Sequence, residues 1–271
     1  MRIRSSQATL HLLLLVGGFV ILLPLLWMLT TSLKSPGQVH LPPYLFPQSF
    51  EWSNYQKAFA ADEFSRFYLN SAVMTGGIVA GQVVLSSMAG YAFARLRFPG
   101  RNVLFGLVLA TMMMPVYVTL VPSFLIVKTL GWLDSYTGLI APRLVSPFGI
   151  FLMRQYYLSL SSDLEQAALI DGASRFRVWW SIALPLSVPA LATVGIFAFL
   201  FAWNDLLWPL IITTDPDLRT VQLGLAMFTG RYGTQWTLLA AGSLIATLPA
   251  IIAFLFGQRW LIRGVSMQST K

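Results

Sequence analysis

The sequence predicts an all-α membrane protein with six transmembrane helices. Of its 271 residues, 56% are hydrophobic and only 10% are charged, whereas soluble domains typically carry about 25% charged residues. Six apolar runs are long enough to cross a hydrocarbon core of about 30 Å as helices, which takes about 20 residues each. The runs are continuously apolar rather than alternating, which excludes a transmembrane β-barrel.

The predicted spans form one transmembrane domain over residues 1–271. They cover roughly 10–32, 70–94, 103–126, 138–157, 186–211 and 237–258. The first run is longer than the about 7–15 apolar residues of a signal peptide, so we expect it to be retained as a span. The connection after it carries a predicted amphipathic helix at 53–59. In the third span, Met112–Pro115 predicts a bend, because proline disrupts helical hydrogen bonding.

The distribution of basic residues predicts the orientation, since Lys and Arg concentrate in cytoplasmic loops. Placing the N-terminus inside puts most of the 18 Lys and Arg residues on that side, with Arg95, Arg97 and Arg101 in one short loop. We therefore expect a multi-pass protein of the cell membrane, in contact with lipid, with both termini cytoplasmic. The net charge of +8 does not indicate nucleic acid, because no basic stripe or recognition motif is present.

A polar-to-amphipathic stretch, the 162–185 loop, separates predicted spans four and five. Ser162–Glu165 fits the S-x-x-E capping box, which predicts a helix that starts at Ser162 or Asp163. Gly172 suits a helix end or sharp turn, because glycine adopts positive φ without steric strain. The small side chains of Ala167 and Ala168 favour contact with a tight protein groove over a lipid surface.

A second helix is predicted in the same loop. Ser174 can cap it, and Pro185 ends or kinks it where the fifth span begins. Its apolar residues share one stripe at helical spacing, namely Phe176, Trp179, Trp180, Ala183 and Leu184. Spacing alone leaves open whether this stripe lies in the lipid headgroups or packs against protein.

These residues carry a family resemblance. Ala167-Ala168, Gly172 and Ile182-Ala-Leu-Pro185 fall at the spacings of the EAA loop of permease subunits in binding-protein-dependent ABC importers. The loop departs from that motif at its first position, where Gln166 replaces the family glutamate and Glu165 precedes it. Whether Glu165 supplies the missing charge stays open. Other stretches are similar to the carbohydrate-importer, MalG-like branch: 54–55, 91–100, 201–209, 240–243 and 258–264.

The resemblance implies a MetI-like permease fold in which the 162–185 loop is a coupling helix seated on an ATPase subunit. The residues to which it assigns this coupling role are Glu165, Gln166, Ala167, Ala168, Asp171, Gly172, Ala173 and Pro185. It also implies a second related permease, two ATPase copies that bind ATP and Mg, and an extracytoplasmic sugar-binding protein. The chain has no G-x-x-x-x-G-K-[ST] phosphate loop, so no cofactor is expected in this chain.

Asp205 is the strongest candidate for the substrate path. A carboxylate inside a span is costly and usually faces a protein interior or a water-filled cavity. Its neighbours Trp203, Asn204 and Trp208 offer amide hydrogen bonds and stacking faces that suit a sugar. Alternatively, Asp205 pairs with Arg143, which lies at a matched depth in span four, and the pair fixes the two helices. The two roles are compatible.

The predicted function is therefore a transporter subunit rather than an enzyme, with no catalytic residue and no metal site. A sugar is the favoured substrate and glycerol phosphate the alternative, because the outer loops lack a cluster of cations that would demand a phosphate. A self-sufficient secondary transporter predicts more intramembrane ionisable groups and inverted repeats. An intramembrane enzyme predicts paired carboxylates or a metal triad. Neither rival explains the 162–185 loop.

Overall fold

The computed structural model describes residues 2–39, 45–60, 64–226, 228–230 and 233–266. Within these ranges the chain is almost entirely helical, with one short antiparallel pairing of β1 (Thr229–Gly230) and β2 (Gly233–Thr234). The α-helices, in chain order, are α1 Arg2–Ser32, α2 Ser53–Ala60, α3 Phe64–Arg95, α4 Arg101–Met112, α5 Val116–Thr129, α6 Tyr136–Ile140, α7 Pro147–Ser159, α8 Asp163–Ile170, α9 Arg175–Val178, α10 Leu184–Leu186, α11 Val188–Trp203, α12 Leu207–Ile212, α13 Val221–Ala226 and α14 Trp236–Ser266. Short 3₁₀ turns lie at Pro36–Gln38, Ala141–Arg143 and Pro216–Leu218, and a π-helical turn lies at Trp179–Ala183.

Three helical stretches in the described ranges are each long and apolar enough to cross a membrane: Thr9–Ser32, Phe64–Arg95 and Trp236–Trp260. They coincide with the runs predicted at 10–32, 70–94 and 237–258. Three further runs are pairs of helices bent by more than 40°, and counting each pair as one span gives up to six crossings. The amphipathic helix predicted at 53–59 is confirmed as α2.

The third and fourth predicted spans are bent rather than straight. Helices α4 and α5 meet at 103°, which confirms the bend predicted at Pro115, a residue without an N–H to donate. The α6 stretch meets α7 at 43°. Here Pro147 opens α7, and the Ser146 hydroxyl accepts the N–H of Gly149 at 3.1 Å. The stretch predicted as a span at 138–157 therefore consists of two helices, because proline and a serine cap start a new helix.

The fifth predicted span is also interrupted. Helix α11 begins at Val188 and ends at Trp203, and α12 follows after a short break. In that break, Asp205 Oδ1 accepts the N–H of Trp208 at 3.1 Å. The stretch predicted as a span at 186–211 therefore contains a break, because the carboxylate satisfies an N–H in the first turn of α12 and so starts a new helix.

The chain divides into two compact parts, of which the first comprises Met1–Ser65 and Gly224–Leu248. In this part Asn54 closes the end of α1: its amide donates to the carbonyls of Ser32 at 2.9 Å and Lys34 at 2.8 Å. Ser32 and Tyr55 also share a hydroxyl hydrogen bond of 2.7 Å. Asn54 therefore satisfies carbonyls at and just beyond the end of α1, which the helix cannot do by itself, and Tyr55 binds the Ser32 hydroxyl.

The second part comprises Arg66–Leu223 and Pro249–Lys271, and it contains two buried clusters. The Tyr157 cluster consists of Tyr91, Met153, Tyr157, Val178, Trp179, Ala183, Ala190 and Val194. The Trp208 cluster consists of Met74, Ile78, Val127, Leu139, Ala202, Trp208 and Ile212. Small residues let the helices approach: a β-carbon at Gly77 would lie 2.9 Å from Ile140 Cδ1. Such close packing holds helices together in lipid, where the hydrophobic effect between helices is absent.

Loops of the second part are held by polar side chains. The amide of Asn70 donates to the carbonyls of Asp217 at 2.8 Å and Arg219 at 2.9 Å. Asp134 accepts N–H groups from Thr214 at 2.6 Å and Asp215 at 2.8 Å. These hydrogen bonds lower the pKa of Asp134 below its ordinary value, and the bond from the N–H of Asp215 has the largest effect. They do so because they favour the charged carboxylate.

Candidate functional site

The 162–185 loop opens with the short helix α8, which ends at a glycine elbow. Gly172 has φ of 82°, a conformation that other residues adopt only with strain. Its N–H donates to Leu169 O at 3.1 Å, and the N–H of Ala173 donates to Ala168 O at 2.9 Å. These two bonds form a Schellman motif. Ala168 and Ala173 both pack against the Tyr157 cluster, so the elbow is anchored to the core.

Glu165 points into the protein instead of capping α8. Its side chain is 7% exposed, and its Oε1 lies 3.1 Å from Arg95 Nε. The Tyr91 hydroxyl donates to its Oε2 at 3.2 Å. The predicted start of α8 is confirmed, but the predicted capping box is wrong: Ser162 makes no capping bond, and its hydroxyl accepts from Gln166 at 3.0 Å. A buried carboxylate needs a charged partner, and Arg95 supplies it.

The opposite side of α8, its outer face, is exposed. It consists of Asp163, Leu164, Gln166, Ala167, Ile170 and Asp171. Leu164 is 59% and Ile170 is 86% exposed, and exposed apolar residues with a polar rim are typical of a docking surface. Neighbouring residues on a helix lie about 100° apart. Glu165, held inward by Arg95, therefore does not replace a charge at the exposed position of Gln166.

The second helix of the loop is capped as predicted but buries a different set of residues. The Ser174 hydroxyl accepts a backbone N–H from three residues on, at 3.2 Å. Trp179 and Ala183 are 5% and 1% exposed, whereas Phe176 and Trp180 are 63% and 58% exposed. The predicted stripe is therefore divided. Trp179 and Ala183 lie in the π turn and belong to the Tyr157 cluster, whereas Phe176 and Trp180 are exposed.

A buried polar chain ties this loop to the neighbouring helices. Pro185 lies within α10, and the chain bends by 79° only at Ser187. The Tyr157 hydroxyl shares hydrogen bonds with Ser187 Oγ at 3.2 Å and Ser87 Oγ at 2.7 Å. Trp179 Nε1 donates to Ser87 Oγ at 3.1 Å. These hydrogen bonds thus connect α3, α7, the π turn and the start of α11.

The structure brings Arg143 and Asp205 together. Arg143 Nη2 lies 3.3 Å from Asp205 Oδ2, and their side chains are 17% and 13% exposed. The guanidinium lies 5.4 Å from the ring centre of Phe201 and 5.2 Å from that of Trp208, positions that allow cation–π attraction. The pair therefore holds the 3₁₀ turn after α6 against the break between α11 and α12.

The neighbours of Asp205 do not offer the predicted stacking faces. Trp203 and Trp208 are 3% and 2% exposed. Trp203 packs edge-on against Tyr68 at 5.3 Å, and Trp208 Nε1 donates to Gly138 O at 3.1 Å. Asn204 is exposed, and its amide donates to a backbone carbonyl of α11 at 2.8 Å. Stacking of a sugar on these indoles is therefore wrong for this conformation, because packing within the chain covers both.

The sequence reading missed the partners of Glu165. In the sequence, Arg95 served only to predict the orientation in the membrane, and Tyr91 was only part of a stretch that resembles the carbohydrate-importer branch. Their spacing carried a usable signal, since residues four apart lie on one face of a helix. Both side chains of α3 therefore reach the same carboxylate.

Three carboxylates in the described part of the chain form ion pairs with arginine. The ion pairs are Glu165 with Arg95, Asp205 with Arg143, and Asp217 with Arg66 at 2.8 Å. Over the same residues, no group of three or more His, Cys, Asp or Glu side chains is arranged to hold a metal ion.

The chain is similar to a known protein family and to proteins of named function. Residues 82–267 match the family described as "Binding-protein-dependent transport system inner membrane component". The chain is 35% identical over 264 residues to the sn-glycerol-3-phosphate transport system permease protein UgpE of Yersinia pestis bv. Antiqua (strain Antiqua), covering 94% of each chain. It is 35% identical over 269 residues to the arabinooligosaccharides transport system permease protein AraQ of Bacillus subtilis (strain 168), covering 98% of this chain and 96% of that protein.

The fold has a counterpart of known structure. It resembles a chain in the crystal structure of a bacterial ABC transporter involved in the import of the acidic polysaccharide alginate, with a TM-score of 0.84 and 24% sequence identity. That similarity covers 94% of this chain and 96% of the other. The chain belongs to the inner membrane components of binding-protein-dependent transport systems, the permease subunits of ABC importers.

Proposed function

We propose that this chain forms one half of the translocation path of an ATP-driven importer of mono-, di- or oligosaccharides. It acts as a single permease domain with six spans, of which the bent helix pairs provide three. Both termini are cytoplasmic. Arg95, Arg97 and Arg101 line a cleft that Glu165 and Gln166 of α8 also line, and such a basic cluster supports a cytoplasmic position for this end of the bundle.

The two-sided character of α8 carries the proposal. Its outer face, with Ala167 at the centre, docks into a groove of a separate ATPase that binds ATP and Mg. Its inner face is joined to α3 by Glu165 and Arg95, and Ala168 and Ala173 pack on the core. Because the helix is fixed on one side and free on the other, movement of the ATPase is transmitted to α3 and, through the Gly172 elbow and the Pro185 helix, to α11.

Further partners are needed because this chain forms only half of the proposed translocation path. A second, related permease completes the translocation path, a second ATPase copy serves that permease, and an extracytoplasmic binding protein delivers the sugar. Lipid surrounds α1, whose apolar stretch Thr9–Ser32 contains an 18-residue window with no buried residue. A self-contained span of this kind needs no contact with the rest of the chain to be stable in a membrane.

The similarity to AraQ supports a sugar as the substrate, and the similarity to UgpE supports sn-glycerol 3-phosphate as the alternative. Both relatives are 35% identical to this chain, so identity does not choose between them. The pairing of Arg143 with Asp205 favours the neutral substrate, because it leaves no net positive charge at that point of the bundle.

Co-purification tests the proposal. The chain is tagged, extracted from its native membrane in mild detergent, and reconstituted with whatever accompanies it. We expect a stoichiometric ATPase and a second permease, and uptake of sugar that requires ATP and the binding protein. A lone chain that transports without ATP would contradict the proposal. ATP-dependent uptake of sn-glycerol 3-phosphate but of no sugar would select the alternative substrate.

A further inference from the structure

A cleft of about 380 Å³ opens beside the Arg143–Asp205 pair. Its lining comes from α3, from the segment between α6 and α7, from the first turn of α7, and from α11. Three aromatic rings dominate the wall: Phe148, Phe197 and Phe201 are 37%, 48% and 49% exposed. Phe148 and Phe197 meet edge to face at 5.4 Å. The cleft therefore presents ring surface that packing within the chain leaves uncovered.

Polar groups lie at one side of these rings. Arg143 lines the cleft and keeps 17% of its side chain exposed. Its Nε is buried and has no hydrogen-bond partner among the described residues. Gln82 also lines the cleft, and its amide donates to Arg143 O at 2.8 Å. A partly exposed arginine beside open ring faces is a combination of groups found in sites for small polar molecules.

The position of Arg143 indicates what this cleft faces. The residue lies within a bent helix pair that can form one span. An exposed arginine at that depth is costly against lipid, and such residues face protein or a water-filled cavity. The three rings share the cleft with this guanidinium, so they face the same side. The cleft therefore opens towards the interior of the assembled importer.

The chemistry of the cleft selects a class of ligand. Aromatic faces pack against the apolar faces of a sugar ring, and the guanidinium donates to its hydroxyl groups. Asp205 already neutralises Arg143 at 3.3 Å, so the pair offers no net positive charge to an anionic group. We propose that this cleft is a contact site for a neutral sugar ring during translocation, so that the permease itself takes part in substrate selection. This inference rests on the proposed import of sugar.

Uptake by ring variants tests the site. The complete importer, with its partner subunits and binding protein, is reconstituted and assayed with maltotriose, an arabinotriose and sn-glycerol 3-phosphate. Replacing Phe148 and Phe197 together by alanine is expected to lower uptake of the transported sugar by about tenfold, as loss of well-packed aromatic contacts does. Phe254→Ala is the matched control, because Phe254 is also 48% exposed but does not line the cleft. Unchanged uptake in the double variant would overturn the inference while leaving sugar import intact.

Protection from labelling tests the site without removing its rings. The chain contains no cysteine, so Val145→Cys introduces a single thiol into the cleft, at a position that is 57% exposed. We expect the transported sugar to slow its alkylation by a maleimide by about threefold or more, as occupancy near saturation requires, and sn-glycerol 3-phosphate to have no effect. Equal labelling rates with and without sugar would overturn the site. Uptake of sn-glycerol 3-phosphate alone would instead defeat the proposed sugar import and this inference with it.

Discussion

Replacing Gly172 by proline is expected to abolish uptake while the chain still reaches the membrane. Gly172 has φ of 82°, and the proline ring fixes φ near −65°. Proline also lacks the N–H that Gly172 donates to Leu169 O at 3.1 Å. Both halves of the Schellman motif would fail, and α8 would leave its anchored position. Uptake in cells, with the amount of chain in the membrane fraction measured in parallel, is the assay.

Gly172→Asn is the matched control for this variant. Asparagine tolerates the left-handed conformation better than other non-glycine residues and keeps the N–H. We therefore expect the asparagine variant to retain most of the uptake. Normal transport by the proline variant would contradict the coupling role of the elbow.

Asp205→Asn is expected to prevent stable assembly of the importer. Asparagine is as good a helix cap as aspartate, so the bond to the N–H of Trp208 survives, and only the charge opposite Arg143 is lost. Leaving one member of a buried ion pair unpaired costs about 3–5 kcal/mol. The measurement is the thermal unfolding of the detergent-solubilised complex, with the amount of assembled complex as a second readout.

The double variant Asp205→Asn with Arg143→Gln tests whether the loss of assembly comes from the unpaired charge of Arg143. Removing both charges leaves no unpaired ion, so we expect it to recover most of the lost assembly. Intact assembly of the single variant, with a changed affinity for sugar, would contradict the stabilising role. It would leave Asp205 with a role in the cleft alone.

Much of the fold follows from apolar run length. The spans that form α1, α3 and α14 are predictable from run length, because Pro24 and Pro249 lie within α1 and α14 without ending them. The breaks in the other runs are harder to predict. Pro115 predicts one bend. The break at Asp205 depends on a carboxylate that accepts an N–H of α12 while it also binds Arg143. A charged residue in an apolar run predicts a partner; it does not predict that the helix ends there.

The site shows the same division. The turn at Gly172 and the helix cap at Ser174 can be predicted, because the backbone requirements of a turn and a cap are local. The inward direction of Glu165 depends on Arg95, which lies in another helix and is distant in the sequence. The π turn at Trp179–Ala183 is also not predictable from α-helical periodicity. Spacing placed Trp179 and Trp180 in one apolar stripe without deciding what covers it, and in the structure Trp179 is buried and Trp180 is exposed.

The central claim is that one face of α8 is free for an ATPase and the other is packed on the core, and two adjacent alanines test it directly. Because the chain contains no cysteine, Ala167→Cys and Ala168→Cys each place one thiol on one of these faces. Each is labelled with a maleimide photocrosslinker in the isolated permease pair, recombined with the ATPase and irradiated. We predict a crosslink to the ATPase from position 167 and little labelling at position 168, which packs against the Tyr157 cluster. Equal crosslinking from both positions, or none from position 167, would contradict the account.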